Sequence, residues 1–133
     1  MDIFINYCKN GDLINAKKYF EENPNIYIHA SNEYAFRYSC SFGHLEVAKW
    51  LWSLDQNIDM HADYDAFHLS CCFGHLEVAK WLCTLCEKYY IEHDDDEIIN
   101  RKILTDDEVA EKKILADLLN LEIIIDTNTT IDL

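Results

Sequence analysis

The chain has little glycine, little positive charge and no long apolar run, and each shortage excludes a class of function. Its three glycines, at positions 11, 43 and 74, lie too far apart for the glycine-rich loop that cradles phosphate in nucleotide-binding proteins. Lysine and arginine number 11 against 25 acids, a net charge of −14, which disfavours binding to nucleic acid or to an anionic membrane surface. No segment approaches the roughly 18 apolar residues of a membrane-spanning helix.

The sequence also lacks the signals of secretion and of catalysis. The first residues, MDIFINYCKNGD, contain no basic-then-apolar segment of the kind that begins a signal peptide. We therefore expect an intracellular protein that is not secreted, in which the six cysteines are thiols. No serine stands in a pattern with a histidine and an acid, and no carboxylate pair indicates a catalytic cleft. These absences favour a protein without enzymatic activity.

A repeat is the dominant feature that the sequence does contain. SFGHLEVAKWL at residues 41–51 returns as CFGHLEVAKWL at 72–82, and the match extends outward to pair 32–54 with 63–85. A looser copy, NGDLINAKKYF, lies at 10–20. Periods of 31 to 33 residues indicate a repeat architecture.

Each unit is predicted to contain two short helices, which in the second copy cover about 33–41 and 44–54. Gly43 lies in the turn between them, where a residue that tolerates positive φ is needed. The second helix has one apolar stripe, formed by Leu45, Ala48, Leu51 and Trp52. A single helix pair cannot bury both of its apolar faces, whereas a like pair stacked beside it can cover one of them. The predicted fold is therefore all-α, a helix-turn-helix repeat solenoid.

The spacing predicts about four repeats within one domain at residues 1–124, with degenerate terminal units. The units are 1–31, 32–62, 63–93 and a degenerate 94–124, followed by a C-terminal tail at 125–133. In the fourth unit, 95–104 is predicted as the first helix and 105–120 as the second, opened by a capping box of Thr105 and Glu108. An unrelated C-terminal helix is the alternative. The last thirteen residues either fold back over the last helix pair or form an extended arm, and we favour the first.

The second helices carry the chain's resemblance to a known family. GHLEVAKWL stands at 43–51 and again at 74–82, and its Gly-His opening followed by apolar pairs resembles the ankyrin-repeat family. FGHLEVAKWL preceded by AF-x-x-SC is most similar to the ankyrin proteins of giant amoeba-infecting DNA viruses, of the mimivirus type. The family's usual Thr-Pro-Leu-His start of the first helix is absent, and Tyr34-Ala35-Phe36-Arg37 and Asp65-Ala66-Phe67-His68 replace it.

This resemblance implies a stacked array in which His44 and His75 are structural. From the residues themselves we expect no cofactor and no metal. The resemblance further implies a non-enzymatic protein that binds another protein through its finger loops, at 25–30 and 57–62, and through the concave face of its first helices. Since acids dominate the composition, we expect a partner with a basic patch. The resemblance implies a viral protein, which we expect to be monomeric and to act in the host cytoplasm. The residues at the matching positions are Tyr27, His29, Asn32, Glu33, Arg37, Asp59, His61, Asp63, Tyr64 and His68.

Three features leave alternatives open. The four cysteines between Cys71 and Cys86 could hold a structural zinc or act as reactive thiols, although we favour buried packing residues. The acidic run at 93–97 could bind a divalent cation, but it lacks the spaced ligands of a calcium loop. Trp50 and Trp81 could anchor a partner, or they could shield the edge of the stack, which we favour. A shortened viral gene product with little activity of its own is a further alternative.

Overall fold

Three pairs of short helices form the first two thirds of the protein. The computed structural model describes the backbone of residues 2–63 and 65–131 and the side chains of residues 2–63 and 65–120. The pairs are α1 (Ile3–Lys9) with α2 (Leu13–Glu22), α3 (Ala30–Ser41) with α4 (Leu45–Leu54), and α5 (Ala66–Cys72) with α6 (Leu76–Leu85). The predicted helix-turn-helix repeat solenoid is confirmed.

The glycine turns join the two helices of a repeat, and they also pack against the next repeat. Gly43 has a φ of +80°, and a side chain there would place its Cβ 2.5 Å from Nδ1 of His75. Gly11 has a φ of +75° and lies under His44 in the same way. The Gly-His pair therefore recurs because each histidine covers the glycine of the preceding repeat.

The first helices lie side by side, α1 beside α3 and α3 beside α5. Ser39 Oγ donates to the carbonyl of Ala35 in its own helix (2.7 Å) and to that of Cys8 in the preceding helix (3.3 Å). Ser70 makes the same two contacts one repeat later, at 2.6 Å to Ala66 and 3.2 Å to Cys40. The repeated Ser-Cys pair is thus a buried bridge between neighbouring helices.

Trp50 and Trp81 pack onto the preceding repeat, in agreement with the edge-shielding interpretation. The ring of Trp50 lies edge-on to Phe20, with the centroids 5.7 Å apart, and 6.0 Å from Phe4. Trp81 contacts Phe36 at 6.1 Å and Trp52 at 6.5 Å. Both tryptophans are half-buried and extend the apolar core along the outer edge.

The C-terminal third departs from the predicted repeat. Strands β1 (Tyr89–Asp94) and β2 (Glu97–Ile103) form an antiparallel hairpin, in which Tyr89 faces Ile103. The predicted helix over 95–104 is therefore wrong. A helix in the repeat register would place Arg101 and Lys102 where Ser70 and Cys71 are buried, at a high desolvation cost. In the hairpin both charges are exposed.

Helix α7 (Asp106–Ile131) follows the hairpin and begins with the predicted capping box. The Thr105 hydroxyl accepts from the Glu108 backbone N–H, and the Glu108 carboxylate accepts from that of Thr105, both at 3.2 Å. The division into repeats, with a last unit at 94–124, stays a prediction, although its first helix is replaced by a strand. The predicted contacts of the C-terminal tail lie outside the described residues.

Candidate functional site

His29 connects the first finger loop to the second repeat through two carboxylates. Its Nδ1 donates to Glu33 Oε1 (2.5 Å) and its Nε2 donates to Asp55 Oδ2 (2.8 Å). A carboxylate only accepts hydrogen bonds, so when both carboxylates are ionised each ring nitrogen donates and this arrangement favours the imidazolium form. The hydrogen bond to Asp55 is the main cause that raises the pKa of His29, partial burial opposes it, and Glu33 adds to it.

Glu33 continues this network into the next finger. Its side chain is buried, and its second oxygen accepts a hydrogen bond from the backbone N–H of Asp59 at 2.5 Å. Asp55 accepts from the Asn57 backbone, and that bond, followed by the one from His29, lowers the pKa of Asp55. The two finger loops are therefore held together by a charge-assisted network.

Arg37 is buried and stabilises an unusual backbone segment. Ser31, Asn32 and Glu33 have φ values of 55°, 59° and 64°, a left-handed conformation that costs energy in residues other than glycine. The Arg37 guanidinium donates to the carbonyls of Asn32 (2.8 Å) and Ser31 (3.3 Å). It also pairs with the exposed carboxylate of Asp63 at 3.4 Å. Arg37 thus positions the finger loop from behind.

The ring of His61, the histidine of the second finger, contacts the hairpin instead of carboxylates. His61 Nδ1 lies 2.6 Å from the hydroxyl of Tyr89, the first residue of β1. Burial raises the pKa of Tyr89 well above its ordinary value, so the hydroxyl stays protonated and donates to His61. The Tyr89 ring stacks on Phe67 at 4.2 Å, with 6° between the planes. The hairpin therefore covers the last repeat and positions its finger.

The structure brings half of the predicted site residues together. A shallow depression of about 370 Å³ is lined by Tyr27, His29, Asn32, Glu33, Asn57 and Asp59. The exposed residues of the predicted set are Tyr27, Asn32, Asp59, His61, Asp63 and His68. Glu33 and Arg37 are buried and support the surface from below. Tyr64 lies outside the described residues.

Sequence reasoning missed a row of aromatic rings on the first helices. Tyr34 and Tyr38 stack with centroids 4.0 Å apart, and Phe42 lies 5.7 Å beyond Tyr38. Phe42 is 45% exposed, and Phe73, its counterpart in the next repeat, is 61% exposed. The sequence did contain a signal for these rings, since a phenylalanine precedes the turn glycine in both of the closely matching repeats, at 42 and 73.

The cysteines and the acidic run do not gather into a site. Among the residues that the structure describes, no three His, Cys, Asp or Glu side chains are placed to hold a metal ion. Burial raises the pKa of the Cys71 thiol to about 11 and also raises that of Cys83, so both stay protonated at neutral pH. The acidic run at 93–97 is exposed around the hairpin turn.

The described part of the chain has no helix with the length and apolar character needed to cross a membrane.

Three stacked helix pairs with finger loops at one edge place this protein in the class of helical repeat solenoids. A scan against protein families matches residues 4–95 to ankyrin repeats, in three copies. The match covers more than half of the chain, which therefore belongs to the ankyrin-repeat family. Ankyrin repeats form protein-interaction modules, and proteins built from them are generally non-enzymatic adaptors. No match was found among curated proteins or among solved structures.

Proposed function

We propose that this chain is a monomeric viral adaptor that binds a host or viral protein in the host cytoplasm and catalyses no reaction. Its binding surface consists of the tips of the first two fingers and the adjacent first helices. The observation that carries the proposal is the depression bordered by Tyr27, Asn32 and Asp59, whose floor is preorganised by the bonds among His29, Glu33 and Asp55. A surface that is ordered before binding loses less entropy when a partner docks.

The exposed chemistry of the finger tips fits a basic patch on the partner. Asp59 and Asp63 are exposed, and the ring of Tyr27, which is 69% exposed, lines the same depression as Asp59. An aromatic ring near a carboxylate suits a lysine or arginine side chain through ion pairing and cation–π contact. Binding through these tips should weaken as salt is added, since exposed charges are screened.

The proposal is tested by site-specific photo-crosslinking in infected host cells. A photoreactive phenylalanine analogue at Tyr27 should capture a defined partner protein, and the yield should fall at high salt. The matched control carries the same analogue at Ile14, which is 82% exposed on α2, away from the fingers. Equal capture of the same proteins from both positions would contradict a binding surface at the fingers.

A further inference from the structure

The concave face, defined as the exposed side of α1, α3 and α5 together with the C-capping residues Phe42 and Phe73, carries no exposed acid. The chain has 25 acids, yet Glu33 is the only one within these three helices, and its buried carboxylate is occupied by His29 and Asp59. The second helices of the repeats, in contrast, expose Glu21, Glu22, Glu46 and Glu77. No exposed acid therefore lies within these three helices. The carboxylates beside them lie towards the N-terminal ends, where Asp2 caps α1, Asp65 caps α5, and Asp63 pairs with Arg37 of α3.

The concave face instead presents aromatic rings and cations. Lys9 lies with its ammonium 5.4 Å from the centroid of Tyr38 and 5.8 Å from that of Phe42. Within the described residues Lys9 makes no ion pair, so its charge is available to a ligand. At the other end of the face, Arg101 of β2 is exposed and lines a small cavity with His68 of α5.

We infer that the concave face binds an acidic segment of the partner protein in which carboxylates alternate with apolar or aromatic side chains. The carboxylates would pair with Lys9 and Arg101, and the apolar side chains would cover Phe42 and Phe73. This inference rests on the proposed function and refines it, because the finger tips and the concave face then select opposite charges. A contiguous segment that meets both regions must carry both basic and acidic residues.

The pairing of Lys9 and Arg101 with an acidic ligand has to act against the negative net charge of the protein. A net charge of −14 repels an acidic ligand at long range, so selection of such a ligand requires local pairing at short distance. The aromatic rings provide a partly dry setting in which an ion pair with Lys9 is less screened than on an open surface. The apolar contacts supply affinity, and the cations determine which segment fits.

The inference is tested by fluorescence anisotropy with the full chain and three labelled peptides of equal length. The first alternates Glu with Leu and Phe, the second has Gln in place of Glu, and the third has Lys in place of Glu. We expect the Glu peptide to bind about tenfold more tightly than the Gln peptide, from one or two charge-assisted contacts. Tighter binding of the Lys peptide would overturn the inference and leave the proposed adaptor function intact.

Two variants locate the binding on the concave face. Lys9→Gln should weaken the Glu peptide about fivefold and leave the Gln peptide unchanged, since only the charge is lost. Phe73→Ser should weaken both peptides. The matched control is Lys49→Gln on the exposed side of α4, which should change neither. Equal effects of the Lys9 and Lys49 substitutions would overturn the inference.

Two further outcomes separate the inference from the proposed function. If no peptide binds, the concave face does not select acidic segments and the inference is wrong, while crosslinking at Tyr27 still decides the adaptor function. A short single-stranded RNA serves as the competing polyanion. RNA binding that exceeds Glu-peptide binding would also overturn the inference, because phosphate rather than an apolar carboxylate segment would then be preferred.

Discussion

The junction between the second and third repeats differs from the place where the stack ends. At the junction, His75 covers Gly43, Ser70 donates to the carbonyl of Cys40, and Trp81 packs on Phe36. At the end, no atom of the residues that the structure describes lies within 4 Å of the Cβ position of Gly74. At the repeat spacing of 31 residues, Asp106 stands where a covering histidine would be and Arg101 where the bridging serine would be.

This difference indicates that the stack continues only as long as the bridging residues recur in the next repeat of the sequence. Because the sequence lacks these bridging side chains after the third repeat, a fourth helix pair could not cover the exposed end of that repeat in the same way. Tyr89 covers Phe67 instead, and the hairpin to which Tyr89 belongs closes the stack. The end of the array is thus built from long-range contacts that no periodicity predicts.

Removal of the Tyr89 ring should have the largest effect, because it uncovers the end of the stack. Tyr89→Ala deletes a ring that is 2% exposed, and a buried aromatic residue typically contributes about 3–5 kcal/mol to the free energy of unfolding. Urea unfolding followed by circular dichroism measures the loss. Tyr90→Ala, which removes a half-buried ring at the next position, is the control and should cost much less. Equal losses would mean that the hairpin does not cap the repeats.

Substitution of the turn glycines Gly43 and Gly74 should destabilise the protein more at the junction than at the end of the stack. Both have a left-handed φ, so alanine costs about 1–2 kcal/mol at either position. At Gly43 the added methyl group also collides with His75, and overpacking typically adds about 1–3 kcal/mol. Gly43→Ala should therefore lower the free energy of unfolding clearly more than Gly74→Ala does. If both substitutions cost the same, the third repeat does not close over Gly43.

The first finger should respond to pH through His29. A raised pKa in the folded state stabilises the protein fully below the unfolded pKa of about 6.5, and this contribution is lost as pH rises through the folded pKa. His29→Gln should therefore cost about 1 kcal/mol near pH 6, allowing for solvent screening, and less at higher pH. Unfolding free energies measured at several pH values check this expectation.

The Asp55→Asn background provides the control for the pH prediction. With the main hydrogen-bonding carboxylate removed, the cost of His29→Gln should depend less on pH. A cost that grows with rising pH in the natural background would show that His29 is not held as an imidazolium.

Tyr89→Phe should have the smallest effect and divides the contribution of Tyr89 into ring and hydroxyl. The substitution keeps the stacked ring on Phe67 and removes the hydrogen bond to His61. Since His61 is exposed and water can replace the hydroxyl, we expect a loss of about 0.5 kcal/mol. The same urea unfolding measurement applies. A loss close to that of Tyr89→Ala would show that the hydroxyl, and not the ring, holds the end of the stack.

The sequence allowed the three helix pairs to be predicted because their contacts repeat at a fixed spacing. The same reasoning extended the period one unit too far. The pattern at 105–120 favours a helix and suggested a fourth repeat, but Arg101 and Lys102 cannot be buried in the first helix that such a repeat requires. The finger positions followed from the family resemblance. The burial of Glu33 and Arg37 could not be predicted, because it depends on contacts with Asp59 and Asp63, which lie 26 residues further along the chain in each case.

Backbone nuclear magnetic resonance of the full chain tests most directly whether a hairpin, rather than a fourth helix pair, ends the stack. The register pairs Ile91 with Arg101, which predicts cross-strand contacts between their backbone protons and extended chemical shifts over 97–103. Helical shifts with sequential i to i+3 contacts across 95–104 would contradict the hairpin and restore the fourth repeat.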